Sequence, residues 1–413
     1  MIKVFDFIFI QLKKRSFREV LQRLLELIFG YPLLVLSFLS PRDKNKIVVG
    51  CHTKFNDNSK YFYLISKQLK PEKPIYWIAN SKSIAEDMRH LGYESFYRWS
   101  FKGLYHSLTA KYYIFCFHII DVNMWTWGGA VKINLWHGIP IKHIEFSANN
   151  ARSSKVYNEK SLISRILVPY IFIKPDFLLS TSKKITSYYE TAFRIKGEGR
   201  IKEFGMPRCD IFFMTEHERC NIIPYCENTL LVTEKIPEYK KTFIYMPTWR
   251  DYDFLNDENL NFELINESFR RHNYLLLVKF HPATSFCDQR SYSNIEFLDT
   301  KVDVYPILTK VDCLITDYSS IYYDFILLNK EIIFYAFDVE SYIMNDRGFI
   351  EDYYKAMPGT RAYSLPSLLE VIHEENLLKA DVLNSVYQER WDSFKGKSLS
   401  LIHISEPTRH TRI

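Results

Sequence analysis

The sequence predicts an α/β protein in which two consecutive Rossmann-like domains face each other across a cleft. From residue 46 onward, short apolar runs alternate with segments of helical periodicity, which is typical of βαβ units. This alternation stops in a polar stretch at 214–240, which contains Pro224 and Pro237, and restarts at residue 242. A chain of 413 residues is long enough for two to three domains of about 150 residues each.

Each half of the pattern contains candidate strands with candidate helices between them. The apolar runs that predict strands in the first half are 47–51, 74–79, 112–117, 131–136 and 177–181. Those in the second half are 242–246, 274–280, 294–298, 312–316 and 331–337. Helices are expected near 60–70, 83–92, 100–110, 260–272, 303–310, 319–329 and 366–395. This order gives two doubly wound halves, with the stretch at 214–240 as the linker.

Composition and charge exclude several classes of protein. A hydrophobic fraction of 47% and a charged fraction of 25% are those of a folded globular chain and not of a disordered one. The net charge is 54 − 48 = +6, which is too small to predict a nucleic-acid partner. The seven cysteines form no C-x-x-C pair, so we expect neither a zinc site nor a disulfide framework, and a reducing cytosol is the simpler location.

The first 45 residues combine basic charge with apolar faces, and two interpretations remain open. The apolar stretch 24–39 is interrupted by Glu26, Gly30 and Pro32 and is shorter than the ~20 residues that a membrane-spanning helix needs. The segment is either a helix that lies on an anionic leaflet or an amphipathic helix packed on the body of the protein. We expect peripheral attachment at the cytoplasmic face of the membrane.

Three well-known phosphate and hydrolase motifs are missing from the sequence. It contains no G-x-x-x-x-G-K-[ST] and no G-x-G-x-x-G after the first strand, so neither a Walker-type loop nor dinucleotide binding is predicted. The lack of G-x-S-x-G disfavours a hydrolase of the α/β type. The candidate chemistry therefore rests on polar residues at predicted strand ends, where open α/β sheets bind ligands.

Two histidines stand at such strand ends. His137, between Trp136 and Gly138, is a titratable imidazole at the point where the chain leaves the sheet, which suits proton transfer near neutral pH. Lys279 and His281 follow another strand, and alternation predicts that both point to the same side, as two cationic donors for a phosphate. Taken singly, each could equally be a structural side chain in a turn.

Two further clusters supply donors of phosphate hydrogen bonds. Thr248 and Arg250 follow the strand 242–246, and the planar guanidinium fork matches phosphate oxygens. Asp317 precedes Ser319 and Ser320, either of which would cap the next helix and leave its N-terminus for an anion. A structural arginine–carboxylate pair and a simple N-cap are the alternatives, but four clusters on successive strand ends favour a functional site.

These segments together resemble the CDP-glycerol glycerophosphotransferase family, the polymerases and primases of teichoic acids and related capsule polymers. The similarity covers roughly 46–375, with Ile139, Glu145 and Cys209 as departures from the family's usual residues. The segments that carry it are FNDNSKY (55–61), NLWHGIPIKHI (134–144), GMPR (205–208), YMPTWRD (245–251), KFHP (279–282), LITDYSSIYYDF (314–325), IIFYAFDVESY (332–342), RGF (347–349) and PG (358–359).

The resemblance implies a GT-B fold and a reaction in the cleft between an acceptor domain and a donor domain. The enzyme would transfer glycerol-phosphate, or ribitol-phosphate, from a CDP-linked donor to a lipid-linked or polymeric saccharide or polyol-phosphate acceptor. It would release CMP and need neither a metal nor another cofactor. The resemblance assigns 46–235 to the acceptor and 236–397 to the donor. The basic and apolar segment 1–45 is expected to associate with a membrane, and 398–413, which resembles translated sequencing adapter, is expected to be a non-native tail.

The resemblance also assigns roles to individual residues. His137 would be the general base on the acceptor hydroxyl, and His281 would bind and neutralise the reacting phosphate. Asp317 would orient the ribose or a neighbouring donor residue. The other donor-binding residues are Thr248, Arg250, Lys279, Ser319 and Ser320, and those on the acceptor side are Trp136, Gly138, Lys142 and Arg208.

Two rival functions remain at this stage. One is a GT-B glycosyltransferase that uses a nucleotide-sugar and releases a nucleoside diphosphate. The other is a non-catalytic, membrane-bound subunit of a capsule-assembly complex, which the N-terminal segment alone favours. The choice between glycerol and ribitol, between one added unit and many, and between acceptors is also open.

Overall fold

A computed structural model of the chain describes residues 17–398 with short gaps. The first sixteen residues of the predicted membrane segment, three residues of the quoted motifs (Asp251, Pro282 and Arg347), and all but the first residue of the predicted tail lie outside the described residues. The gaps are at 53, 149–156, 158–161, 198, 225–226, 251–257, 282–283, 285–289, 300–301, 346–347, 375–379, 393 and 397.

The chain forms two compact units whose boundaries differ from the predicted ones. The first comprises 1–137, 144–210 and 394–413, and the second comprises 138–143 and 211–393. The division after the first large unit therefore falls at residue 210 and not at 235. The chain also leaves the first unit for six residues directly after His137, a short excursion for which the sequence pattern has no signal.

A seven-stranded parallel sheet forms the centre of the first unit. Its order is β3-β2-β1-β4-β5-β6-β7, and its strands are mostly buried because helices cover both faces. The strands are β1 (Asp43–Val49), β2 (Ile75–Ala79), β3 (Ser95–Tyr97), β4 (Ala110–Phe115), β5 (Val131–Asn134), β6 (Phe177–Ser180) and β7 (Ile201–Glu203). The helices are α1 (Phe17–Ser37), α2 (Asp57–Leu69), α3 (Lys82–His90), α4 (Phe101–Thr109), α5 (Leu162–Leu167), α6 (Lys183–Ala192) and α7 (Pro207–Asp210).

A six-stranded parallel sheet forms the centre of the second unit, in the order β10-β9-β8-β11-β12-β13. Its apolar residues make one core with the helices that follow β8 and β13. The strands are β8 (Lys241–Met246), β9 (Tyr274–Val278), β10 (Ile295–Phe297), β11 (Cys313–Thr316), β12 (Glu331–Tyr335) and β13 (Thr360–Ala362). The helices are α8 (Glu216–Ile222), α9 (Glu227–Lys235), α10 (Phe262–His272), α11 (Tyr305–Leu308), α12 (Ile321–Phe325), α13 (Val339–Asn345), α14 (Tyr353–Ala356), α15 (Leu365–Val371) and α16 (Ala380–Trp391).

The predicted linker at 214–240 is mostly helical among the residues that the structure describes. Helices α8 and α9 occupy most of it, and a capping box between Thr215 and Glu218 starts the first of them. Thr215-x-x-Glu218 is a helix-start signal in the sequence. It was not used in the prediction, because the polar composition of the stretch indicated a linker. Pro224 lies between the two helices and Pro237 in the 3₁₀ turn after them, so both prolines mark ends of helices and not a disordered connection.

The remaining differences concern short elements. Strands β3, β7 and β13 have three residues each, too few for a periodicity to reveal them. The helix expected at 319–329 is the five-residue α12 followed by one 3₁₀ turn, Ile326–Leu328. The long helix expected at 366–395 is divided into α15 and α16.

Helix α1 packs on the first unit with one face and exposes apolar side chains on another. Tyr31 contacts Trp125 edge to face at 5.1 Å, and the buried Glu26 accepts a hydrogen bond from Arg98 at 3.0 Å. Among the described residues, no helix combines the length and the apolar character needed to cross a bilayer. The exposed apolar residues on α1 include Leu24, Leu25, Ile28, Phe29, Val35 and Leu36.

Candidate active site

The chain bends sharply after β5 and so presents His137. Asn134, the last residue of β5, accepts a hydrogen bond from the Trp136 amide at 2.8 Å and donates from Nδ2 to the Phe117 carbonyl at 3.0 Å. Trp136 has a φ of 55°, in the left-handed region that a bulky residue rarely adopts. Strain of this kind persists only where the surroundings enforce it, and it is concentrated at functional sites.

The imidazole of His137 is held by two aromatic rings and one carbonyl. It stacks on Phe117 at 4.1 Å with an interplanar angle of 19°, and Trp136 lies at 4.0 Å. Its Nδ1 is 3.2 Å from the Cys116 carbonyl oxygen. Because a carbonyl only accepts, Nδ1 carries the proton, and the lone pair is left on Nε2.

Electrostatics keep this ring neutral. Burial lowers the pKa of His137 to about 4, and the Arg208 guanidinium contributes to the lowering. The half-buried ring is therefore a free base at neutral pH, in the tautomer that can accept a proton at Nε2.

Arg208 and the first residues of α2 hold the peptide backbone on either side of His137. Arg208 donates from Nη1 to the His137 carbonyl at 2.8 Å and to Asp57 Oδ1 at 2.8 Å. Asn58 donates to the Trp136 carbonyl at 2.8 Å and accepts from the Arg208 amide at 3.1 Å. Arg208, which was predicted to lie on the acceptor side, thus binds the backbone of His137.

Glu145 takes the left-handed conformation that glycine favours, with a φ of 48°. Glu145, one of the departures from the pattern that the sequence resembles, therefore stands at a position that a glycine would occupy without strain. The Glu145 carboxylate is buried and lies 3.5 Å from Nε2 of His118. Burial alone would lower the pKa of His118, but Glu145 outweighs it and raises the pKa.

Two of the predicted acceptor-side residues belong to the second unit. Gly138 and Lys142 lie in the segment 138–143, which the structure groups with that unit. Lys142 contacts the hydroxyl of Tyr342, lies 4.3 Å from the centre of its ring, and pairs in a β-bridge with Phe349. Within the first unit, the structure brings Trp136, His137 and Arg208 together.

The second unit contains a buried ionic network at the carboxyl ends of β8 and β11. The Arg250 guanidinium is almost completely buried between Asp317, at 2.9 Å, and Asp338, at 2.6 and 2.8 Å. Asp317 also accepts hydrogen bonds from the amide and the hydroxyl of Thr248, at 2.9 and 2.6 Å. Burial alone would lower the pKa of Arg250, but Asp317 and Asp338 raise it, so this charge is permanent.

This network changes the interpretation of two predicted donor-binding side chains. Arg250 is only 1% exposed at its side chain and uses its nitrogens on carboxylates and on the Thr248 carbonyl. Asp317 is fully buried, with its oxygens turned to Thr248, Arg250 and the Tyr318 amide. Direct contact of either with a phosphate or a ribose would require these buried pairs to break, so positioning is the role that the geometry favours.

Ser319 and Ser320 follow the network and are half-buried at the start of α12. The Ile321 amide approaches Ser319 Oγ at 3.5 Å, and the side chain of Ser320, the N-cap residue, makes no cap hydrogen bond. The predicted cap is therefore weak, and the dipole of a five-residue helix is small. The hydroxyls, more than the helix dipole, are the groups that this segment offers to a ligand.

Lys279 and His281, which follow β9, were predicted to point to the same side, and the structure places them in different environments. The strand ends at Val278, before Lys279, so strand alternation does not set their directions. Lys279 is 9% exposed and donates to the Asp299 carbonyl, whereas His281 is exposed. Partial desolvation lowers the pKa of His281.

The structure adds residues that the sequence patterns did not single out. Asn58 lay within the quoted FNDNSKY segment, which marked the loop but not the side chain. Asp338 follows β12 and is distant in sequence from Arg250, and neither spacing nor composition connects the two. Among the described residues, no three His, Cys, Asp or Glu side chains are grouped as a metal site would need.

Two Rossmann-like domains with polar clusters at the carboxyl ends of their strands are typical of the GT-B fold. The chain belongs to the CDP-Glycerol:Poly(glycerophosphate) glycerophosphotransferase family, which matches residues 33–399. It is therefore a polyol-phosphate transferase.

Relatives with described functions are teichoic acid enzymes. The teichoic acid poly(glycerol phosphate) polymerase of Bacillus spizizenii is 26% identical over 93% of this chain and 96% of its own length. The polymerase of the same name from Staphylococcus epidermidis is 28% identical over 65% of this chain, which spans only 36% of that protein. The solved structure of the wall teichoic acid polymerase TagF covers 94% of this chain and 96% of its own, with a TM-score of 0.72 and 20% identity, and so shares the fold.

Proposed function

We propose that this protein transfers glycerol-phosphate, or ribitol-phosphate, from a CDP-linked donor to a hydroxyl of a teichoic acid or capsule acceptor and releases CMP. The observation that carries the proposal is His137: a neutral imidazole whose Nδ1 is bound to a carbonyl and whose Nε2 lone pair remains for a substrate proton. Membership of the family supplies the reaction class. It favours this reaction over a sugar transfer or a scaffold role.

In the proposed reaction, the acceptor oxygen attacks the phosphorus that carries the polyol. A new P–O bond forms to the acceptor, the P–O bond to CMP breaks with its electrons on CMP, and Nε2 of His137 takes the hydroxyl proton. A positioned general base contributes about 10²–10⁴-fold in rate. The negative charge of the donor phosphates raises the pKa of a nearby imidazole, which brings a base with a pKa of about 4 closer to working pH.

For the donor we propose contacts with the groups that the buried network leaves available. His281, which is exposed, would neutralise the reacting phosphate, and the hydroxyls of Ser319 and Ser320 would donate to its oxygens. Arg250 and Asp317 would fix the backbone around these groups. Lys279 would support the loop through its bond to the Asp299 carbonyl.

The acceptor would contact the residues around His137. Trp136, Gly138 and Lys142 are the proposed acceptor-side residues, with Arg208 acting through the His137 backbone. We propose a lipid-linked or polymeric acceptor and attachment of the protein to an anionic membrane surface at the cytoplasmic face. The exposed apolar side chains of α1 support that attachment, because an apolar helix face beside basic residues binds the headgroup region of anionic bilayers.

The test is the release of CMP by purified protein from CDP-glycerol, CDP-ribitol and UDP-sugars in separate reactions, with a membrane extract as the acceptor source. We expect CMP from one CDP-polyol, which would fix the reaction class and the polyol together. The CMP must also depend on the extract, because hydrolysis by water would release it without an acceptor. Nucleoside diphosphate from a UDP-sugar, with no CMP from either CDP-polyol, would contradict the proposal.

A further inference from the structure

One peptide group connects the His137 ring to a buried carboxylate. The carbonyl of Cys116 faces Nδ1 of His137 at 3.2 Å, and the amide of the same peptide, that of Phe117, donates to Asp121 Oδ2 at 2.8 Å. The neighbouring Cys116 amide donates to the same oxygen at 3.1 Å. The order of groups is therefore imidazole, carbonyl, amide and carboxylate, all within the first unit.

Asp121 is placed rigidly for this contact. It ends the 3₁₀ turn Ile119–Asp121, which directly follows the segment after β4, and it is 0% exposed. The Asn80 side chain donates to its backbone carbonyl at 2.9 Å. Within the described residues, Oδ1 of Asp121 is buried and has no hydrogen-bond partner, so the hydrogen bonds of this carboxylate are those that Oδ2 accepts from the Phe117 and Cys116 amides.

We infer that Asp121 is a positioning residue that orients and polarises His137 through the peptide between Cys116 and Phe117. The inference rests on the proposed role of His137 as general base. Asp121 does not contact a substrate; it acts on the hydrogen bond that fixes the tautomer of the base. It is the third member of an acid–base arrangement in which a peptide group stands between the carboxylate and the imidazole.

The physical basis is the polarisation of an amide by a charge. A carboxylate that accepts the Phe117 N–H draws positive charge to the amide and negative charge to the Cys116 carbonyl oxygen, and chains of hydrogen bonds strengthen one another in this way. The stronger acceptor holds the Nδ1 proton of His137 more firmly. It also stabilises the imidazolium that forms when Nε2 takes a proton in the transition state.

The charge on Asp121 depends on pH within the working range. Burial raises the pKa of Asp121 to about 7, against the Phe117 and Cys116 amides and His118, which lower it, and Asp57 is the other charged group that raises it. The charged groups that face His137 are Arg208, Glu145 and His118. Of Asp121 and His137, Asp121 is the group whose pKa lies near neutral pH.

The experiment compares Asp121→Asn with the wild type in pH profiles of CMP release. Asparagine keeps the size and one acceptor oxygen but not the charge. We expect kcat at about pH 8.5 to fall about tenfold, a part of the 10²–10⁴-fold that a general base supplies, with KM for the donor unchanged. The wild type should lose kcat as the pH falls through about 7, so that the ratio of its kcat to that of the variant falls towards one, whereas any titration of His137 itself is common to both enzymes.

Asp210→Asn is the matched control. Asp210 is a buried carboxylate of the same unit whose pKa burial also raises to about 7, but its oxygens accept hydrogen bonds from the amide and the hydroxyl of Ser398. We expect this variant to keep wild-type kcat and the wild-type pH profile. Equal losses in the two variants would assign the effect to the removal of any buried carboxylate and would overturn the inference.

A double variant separates failure of the inference from failure of the proposed function. If Asp121 acts through His137, Asp121→Asn has no further effect in a His137→Gln background. If Asp121→Asn lowers kcat as much in the His137→Gln background as in the wild type, the inference about Asp121 is overturned but the proposed function is not. A fully active Asp121→Asn enzyme with the wild-type pH profile has the same consequence. A fully active His137→Gln enzyme refutes the proposed role of His137 as the general base. If Asp121→Asn does not fold, a wild-type kcat that stays constant between about pH 6 and 8.5 overturns the inference.

Discussion

The carboxyl ends of β5 in the first unit and β8 in the second unit differ in how each holds its candidate site residue. His137 is held by neutral groups: a carbonyl, two aromatic rings and a strained backbone. Arg250 is held by two carboxylates in an almost dry environment. The first arrangement leaves a lone pair for chemistry, whereas the second uses the whole guanidinium for structure.

The difference teaches that a polar residue at a strand end is not by itself a functional group. Both residues fit the same rule, that ligands bind beyond the carboxyl ends of parallel strands. The partners decide the outcome, because a neutral hydrogen bond leaves the charge state of a group free to change and a buried ion pair fixes it. Substitutions at the two places should therefore change different measured quantities.

The largest effect is expected for His137→Gln, which should reduce kcat for CMP release by about 10²–10⁴-fold with little change in thermal stability. His106→Gln is the matched control, because burial also lowers the pKa of His106 to about 4 and its ring lies against Tyr76 and Phe96. We expect the control to keep wild-type kcat. Equal losses in both variants would show that loss of a buried histidine, and not of a base, causes the effect.

The next largest effect concerns stability. Arg250→Met leaves Asp317 and Asp338 buried without their partner and should lower the free energy of unfolding by about 3–5 kcal/mol, measured by urea denaturation. The control is Glu263→Gln, which breaks the exposed pair of Arg290 and Glu263. This substitution should change the free energy of unfolding by less than about 1 kcal/mol. A stable Arg250→Met protein with a raised KM for the donor would instead make Arg250 a donor-binding residue.

A smaller effect distinguishes the two sites by pH. The pKa of His137 is lowered in the folded state, so between about pH 6.5 and 4 the unfolded state binds more protons and the contribution of His137 to stability falls as the pH falls. The unfolding free energy of the wild type should therefore fall relative to that of His137→Gln by a few kcal/mol as the pH falls across this window. The guanidinium of Arg250 does not titrate in this window and makes no such contribution. A constant difference for His137→Gln would contradict the lowered pKa.

The smallest effect is expected on the surface of the first unit. Replacement of Ile28 and Phe29 by serine should weaken binding to anionic vesicles severalfold in a co-sedimentation assay, because both side chains are more than half exposed. Leu231→Ser, on α9, removes an exposed leucine from the second unit and should leave vesicle binding unchanged. If the α1 variant sediments with vesicles as well as the wild type does, the helix does not mediate attachment.

The sequence predicted the fold well because its signals are local. Apolar runs and helical periods identified the longer strands of both sheets, and the quoted motifs identified His137 and its neighbours. Errors arose where a signal was short, as in β13, or where composition concealed a cap, as at Thr215. The burial of Arg250 in an ion pair could not be predicted, because Asp338 is 88 residues away and only the fold brings the two side chains together. The strained φ of Trp136 likewise depends on contacts from Asn58, far along the chain.

The most direct test of the account measures donor binding and turnover together in His137→Gln. Calorimetric titration with CDP-glycerol and CDP-ribitol would give the affinity, and CMP release with the membrane extract would give the rate. The account predicts a donor affinity equal to that of the wild type and a kcat lower by about 10²–10⁴-fold. A kcat within a few fold of the wild type, with the donor bound normally, would contradict the assignment of His137 as the base of the transfer.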